Sequence, residues 1–153
     1  MTKILAWRMT EYEKIVHVDS DAMVLKNCDE LFDYPELSAV PDMSWTDIFN
    51  SGVFVFEPSE KTFQELQALA EKGVSFDGAD QGLLNLYFNQ WFEQKEKHLS
   101  FKYNAAALAC YSYPPAFNQF GDGVKIVHFL GAIKPWNVST VLGHWFSMQL
   151  IFS

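Results

Sequence analysis

Cysteine is scarce: the 153-residue chain holds two, Cys28 and Cys110. That excludes a disulfide-stapled scaffold and a cysteine-rich zinc site, and both read as free core thiols in a reducing compartment. Positive charge is also short, eleven Lys and Arg against nineteen Asp and Glu, for a net charge of −8. A chain of that sign does not suit nucleic acid or an anionic membrane as its main partner, although one local pocket can still oppose the global charge and hold a phosphorylated ligand. No apolar run is long enough to span a bilayer, and no apolar stretch follows a basic start. Neither an anchor nor a signal peptide is expected, and the location read from this is cytoplasmic. Internal repeats and low-complexity linkers are missing as well. What remains is 49% hydrophobic and 16% aromatic, enough for one modest globular domain with a core.

The apolar pattern predicts alternating elements. "TKILAWRMTEYEK" suggests a short helix with Ile4 and Trp7 toward the core and Lys3 and Glu11 toward solvent. Ile15 to Val18 reads as a strand, Asn27 to Pro35 as a polar turn or short helical piece, and Ser38 to Val40 as a strand stopped by Pro41. Val53 to Phe56 reads as a further strand, entered through the polar residues Asn50, Ser51 and Gly52. A helix follows, capped by Ser59, buried along Phe63, Leu66 and Ala70, and ended by Gly73. A glycine-bearing loop, "FDGAD", leads to a second helix with Leu83, Leu84, Tyr87 and Phe88 inward, and "VKIVHFLG" is a strand that delivers His128. Strands alternating with helices predict an α/β, Rossmann-like fold with a mostly parallel sheet and flanking helices, where ligands sit at the carboxyl ends of strands.

Asp19 and Asp21 stand at such an end, in "IVHVDSDAMVL". Two carboxylates this close repel unless a cation joins them. A hard divalent ion such as Mg²⁺ or Mn²⁺ takes oxygen ligands and accepts an imidazole, Mn²⁺ more readily. Held at an Asp-x-Asp, it keeps open positions for a diphosphate and eases departure of that leaving group. The same spacing also occurs in solvated turns and helix caps. The apolar residues on both sides favour the ion, because a solvated turn does not need them.

Four runs, "FNSGVFVFEPS", "FDGADQGLLN", "YNAAALACYSYPPAF" and "VKIVHFLGAIKPWN", together resemble the glycogenin family of self-glucosylating glucosyltransferases, over roughly residues 3 to 137. The resemblance implies retaining transfer of glucose from UDP-glucose to a tyrosine of the same protein, extension of an α-1,4-glucan that primes glycogen synthesis, and Mn²⁺ as cofactor. It implies Asp19, Asp21 and His128 as metal ligands, with Gly131 and Lys134 on the phosphates. Asn50, Ser51, Gly52, Asp77, Asp80 and Gln81 match sugar-binding positions, and Lys3 matches a basic residue near the nucleotide. Asp80 corresponds to the carboxylate that acts at the anomeric carbon, as nucleophile or as stabiliser, and Asp77 to one that binds the sugar or passes it along. Read without the family, Asp77 caps a loop and Asp80 caps the next helix. Tyr111 corresponds to the glucose acceptor. A homodimer and a glycogen synthase partner are also implied.

The chain departs from the family pattern at three places. Pro114-Pro115 stands where the family has one proline, which stiffens the acceptor loop. The family's catalytic domain opens with a nucleotide-binding half ahead of the Asp-x-Asp. Here the resemblance begins at Lys3, so the expectation is an N-terminally truncated sheet without uridine contacts. Residues 138–153, "VSTVLGHWFSMQLIFS", match nothing in the pattern and are read as an atypical apolar tail beyond a partial catalytic domain, 1–137, arising from a transcript variant or gene-model artefact. The chain is read as a truncated glucosyltransferase domain of this family, and the alternative is a catalytically incomplete fragment or isoform that serves as glucose acceptor or dimer partner.

Overall fold

The structure, a computed structural model, describes residues 2–132 together with Lys134 and Trp136. The expected tail, 138–153, and the boundary at 137 lie outside the described residues. No helix among the described residues is long and apolar enough to cross a membrane. The chain divides into two compact units, one formed by Met1–Val18 with Asp29–Ser100 and the other by Asp19–Cys28 with Phe101–Ser153.

The first unit is built on strands β1 (Ile15–Val18), β3 (Ser38–Pro41) and β4 (Phe49–Phe56), in the order β1-β4-β3. All eight residues of β4 are buried. One face receives Trp7, whose ring lies 4.3 Å from that of Phe56 and 5.7 Å from that of Phe54. Trp7 sits in a 3₁₀ turn, Lys3–Arg8, and its Nε1 donates to Glu36 Oε1 at 2.8 Å, so the indole is buried without an orphaned donor. Helices α1 (Glu60–Glu71) and α2 (Asp80–Tyr87) add Phe63, Leu66, Leu83 and Leu84 to the same core, with Tyr87, Phe88 and Ala70 packed at its margin. Ser59 caps α1 by accepting from Thr62 N, and Gly73 follows the helix at φ +65°.

The second unit carries β2 (Ala22–Val24), β5 (Ala105–Ala106), β6 (Ile126–His128), and helices α3 (Ala107–Ser112) and α4 (Pro114–Phe120). Its strand order is β2-β6-β5, over a small core of Ala105, Ala107, Val124, Val127 and Phe129. Pro114 and Pro115 open α4, where a missing N–H costs nothing and the fixed φ suits the helix.

The α/β composition matches expectation, but the predominance of parallel pairing does not. β1-β4, β3-β4 and β2-β6 are antiparallel, and β5-β6 is the parallel ladder among the described residues. The physical reason lies at the start of β4. Asn50, Ser51 and Gly52 belong inside the strand and are buried, so β4 begins at Phe49 rather than at Val53. Only residues 42–48 then link β3 to β4, closed by Asp42 N donating to the Ile48 carbonyl at 2.9 Å. A link that short returns the chain antiparallel, whereas a parallel crossover needs a dozen residues or more. Burial on both faces made β4 read like a strand of a parallel sheet.

Candidate active site

In the second unit, Asp19 follows Val18 directly and Asp21 directly precedes β2, so the Asp-x-Asp forms the bend between two strands. β2 pairs with β6 in a register that sets Ala22 opposite His128, and Phe129 N donates to the Asp21 carbonyl at 2.9 Å. This pairing brings residues more than a hundred positions apart into one cluster. One ligand atom from each of Asp19, Asp21 and His128 lies within 4.8 Å of the others. His128 is 3% exposed and its Nδ1 lies 2.9 Å from Asn104 Oδ1. The tautomer that donates to that oxygen leaves Nε2 as a bare lone pair, 3.2 Å from Asp21 Oδ1. A lone pair facing a carboxylate is an unfavourable pair that a cation between them turns favourable. Two carboxylates and an imidazole oriented from behind are a donor set that fits a divalent ion.

Electrostatics agree with that reading. Burial pushes the Asp21 carboxyl up, but the hydrogen bond from Lys134 and the charges of His128 and Lys134 outweigh it and hold the group below its ordinary range. Burial lowers the His128 imidazole below its ordinary value despite the pull of Asp21 and Asp19, which favours the neutral, ligating form. Gly131, at φ +84°, turns the chain after β6, and Lys134 returns to Asp21. The backbone of Tyr111 lies in α3, while its side chain is outside the description.

The first unit holds a second polar group. Lys3, expected to face solvent, turns inward instead. Its ammonium pairs with Asp80 Oδ2 at 2.6 Å and donates to the Ser51 carbonyl at 2.9 Å. Gln81 accepts from Ser51 N at 3.0 Å through Oε1 and donates to Asp42 Oδ2 at 3.1 Å through Nε2. Asn50 Nδ2 donates to the same oxygen at 2.9 Å, and Asn50 Oδ1 accepts from Gly52 N at 2.9 Å. The predicted residues Lys3, Asn50, Ser51, Gly52, Asp80 and Gln81 are thus one network of fixed donors and acceptors, of the kind that positions a hydroxyl-rich ligand.

Asp42 is the member that sequence reasoning missed. It is 6% exposed and accepts from the Ser44 hydroxyl and N–H as well as from Asn50 and Gln81. Burial raises its carboxyl, but these hydrogen bonds bring it down to about 2, so a charged carboxylate is held inside the network. The available signal was weak. A lone aspartate after Pro41 reads as turn chemistry, and only the later amides, Asn50 and Gln81, reveal what it organises.

Asp77 stands apart from this network. Oδ1 accepts from Ser75 Oγ and Ala79 N, both at 2.8 Å, and Oδ2 accepts from Gly82 N at 3.0 Å. It therefore closes the loop and satisfies the first turn of α2, and Asp80 does not act as the cap. A Cβ at Gly82 would lie 2.3 Å from Asp77 Oδ1, so only glycine lets the carboxylate reach that N–H.

Comparison with known proteins follows the same lines. The family described as glycosyl transferase family 8 matches residues 2–140. Human glycogenin-1 is 52% identical over 138 residues, covering 90% of this chain and 39% of that protein. Human glycogenin-2 is 54% identical over 138 residues, covering 90% and 28% respectively. The chain spans about two-fifths or less of the length of these curated relatives. The glycosyltransferase GlyE of Streptococcus pneumoniae superposes on 100% of this chain and 44% of its own, with a TM-score of 0.69 and 22% identity, a likeness of fold.

Proposed function

The chain belongs to glycosyl transferase family 8, and from that premise we propose that it is the donor-handling part of a glycogenin-type glucosyltransferase. The observation that carries this reading is the Asp19, Asp21 and His128 cluster, with Asn104 behind the imidazole. A divalent cation, Mn²⁺ by the family resemblance, would supply Lewis-acid neutralisation of the departing diphosphate of UDP-glucose. Asp19, Asp21 and His128 are its ligands, and Lys134 with the Gly131 turn serves the phosphate oxygens.

The sugar falls to the network of the first unit. Asn50, Gln81 and the Ser51 backbone fix glucose hydroxyls, and Asp42 orients the two amides. Asp80 presents its carboxylate to the anomeric carbon, and Lys3 holds that carboxylate in place. The bond from C1 to the diphosphate oxygen breaks, a bond from C1 to the Tyr111 phenolic oxygen forms, and the phenol proton passes to the departing diphosphate. Retention follows from two inversions where Asp80 bonds transiently to C1, and from entry of the phenol on the face that the diphosphate leaves where Asp80 only stabilises the positive charge. Later transfers extend an α-1,4-glucan. Asp77 supports this chemistry by holding the loop that carries Asp80. Action within a homodimer, in the cytoplasm, with glycogen synthase as the next enzyme, completes the reading.

Donor cleavage tests it directly. UDP release from UDP-glucose with Mn²⁺ is measured for the parent, Asp19→Asn, His128→Ala and Asp80→Asn. Each substitution is expected to lower the rate by about 100-fold or more, the usual loss when a charge-stabilising group is removed. Release that persists in Asp80→Asn or without a divalent ion contradicts the assignment.

A further inference from the structure

Lys134 is bonded as a counter-ion. Its ammonium donates to Asp21 Oδ2 at 2.5 Å and to the Phe129 carbonyl at 2.6 Å. Both side chains are about four-fifths buried, so solvent only partly screens the pair. Asp21 is thereby held by Lys134 at Oδ2, while its Oδ1 faces His128 Nε2 at 3.2 Å. The backbone makes this possible. Phe129 N is tied to the Asp21 carbonyl, and the positive φ of Gly131 turns the following chain back. Lys134 therefore reaches the carboxylate only five residues after Phe129, whose carbonyl it also bonds.

We propose that Lys134 is a tethered counter-ion that competes with the divalent cation for Asp21 and passes to the donor's diphosphate when that cation binds. The proposal rests on the metal-assisted reading above. An ammonium and a dication on one carboxylate repel each other strongly at contact distance. Lys134 on Oδ2 therefore opposes an ion at Oδ1 through charge, and a diphosphate offers the ammonium other oxygens. Until then the lysine neutralises part of the repulsion between Asp19 and Asp21. By linkage, a diphosphate that draws Lys134 away raises ion affinity, and the ion raises diphosphate affinity by the same factor. The site loads ion and donor together.

The test is Mn²⁺ affinity of the 153-residue chain without nucleotide, read from the electron paramagnetic resonance signal of free Mn²⁺. The parent is compared with Lys134→Met, Lys134→Gln, Lys134→Arg and His128→Ala. Lys134→Met is expected to tighten binding by about 5-fold or more, in the range of ordinary coupling. Lys134→Gln, which keeps a donor for the Phe129 carbonyl, does the same and guards against a loss of fold. Lys134→Arg binds as the parent does, and His128→Ala abolishes binding. Affinity unchanged or weakened in both neutral variants, with His128→Ala still abolishing binding, overturns the proposal and leaves the metal site standing. That is the result for a lysine that only braces the Phe129 loop. No Mn²⁺ binding by any variant overturns both the proposal and the metal-assisted reading.

Discussion

Asp42 shows how one buried charge sets a local response to acid. Its carboxyl sits at about 2 instead of the ordinary 3.8, so the folded state favours the charged form more than the unfolded chain does. The sign follows: the stabilisation is complete above about pH 4 and is lost as the pH falls toward 2. An Asp42→Asn protein should therefore lose less stability than the parent between those values, measured by urea unfolding at stepped pH. Asp42→Ala is harsher, because the donors of Asn50, Gln81 and Ser44 lose their acceptor, and a cost of about 2 kcal/mol or more is expected at neutral pH. Equal pH profiles for parent and Asp42→Asn would contradict this account. The residue was not legible in advance, because its partners come from the following strand and from a helix nearly forty positions later. The Asp19 and Asp21 pair showed in the sequence as carboxylates at a strand end, whereas His128 joined them only through the family resemblance, because a lone histidine in a buried strand reads equally well as a core residue.

Among the elements, β4 and α2 depend on each other. Asn85 Oδ1 accepts from Phe49 N and Asn85 Nδ2 donates to the Phe49 carbonyl, both at 2.9 Å, while Gln81 takes Ser51 N. Helix side chains thus satisfy backbone groups at the start of a wholly buried strand. This is why the polar run Asn50-Ser51-Gly52 can lie inside β4, and why periodicity placed the strand start at Val53. Such side-chain pairing to a distant backbone leaves no mark in local apolar pattern. Asn85→Ala should orphan both Phe49 groups and cost about 2–3 kcal/mol in urea unfolding, whereas an exposed polar residue of α1 such as Gln64 changes little on substitution by Ala. Helix α1 was legible from end to end, since Ser59, the Phe63 and Leu66 face and Gly73 are local signals that tertiary contacts did not override.

At the scale of the whole molecule, each unit assembles one group of functional residues from segments far apart in sequence. The second brings Asp19, Asp21 and His128 together by pairing β2 with β6, and the first joins Lys3, Asp42, Asn50, Ser51, Asp80 and Gln81 through β4 and α2. Family membership explains why both groups occur in one chain, and the glucosyl-transfer reading gives them one reaction. The most direct measurement is the intact mass of the chain after incubation with UDP-glucose and Mn²⁺, beside Tyr111→Phe. The account predicts a ladder of hexose additions in the parent and none in the variant. A parent whose mass does not change, or a ladder that survives Tyr111→Phe, would contradict it.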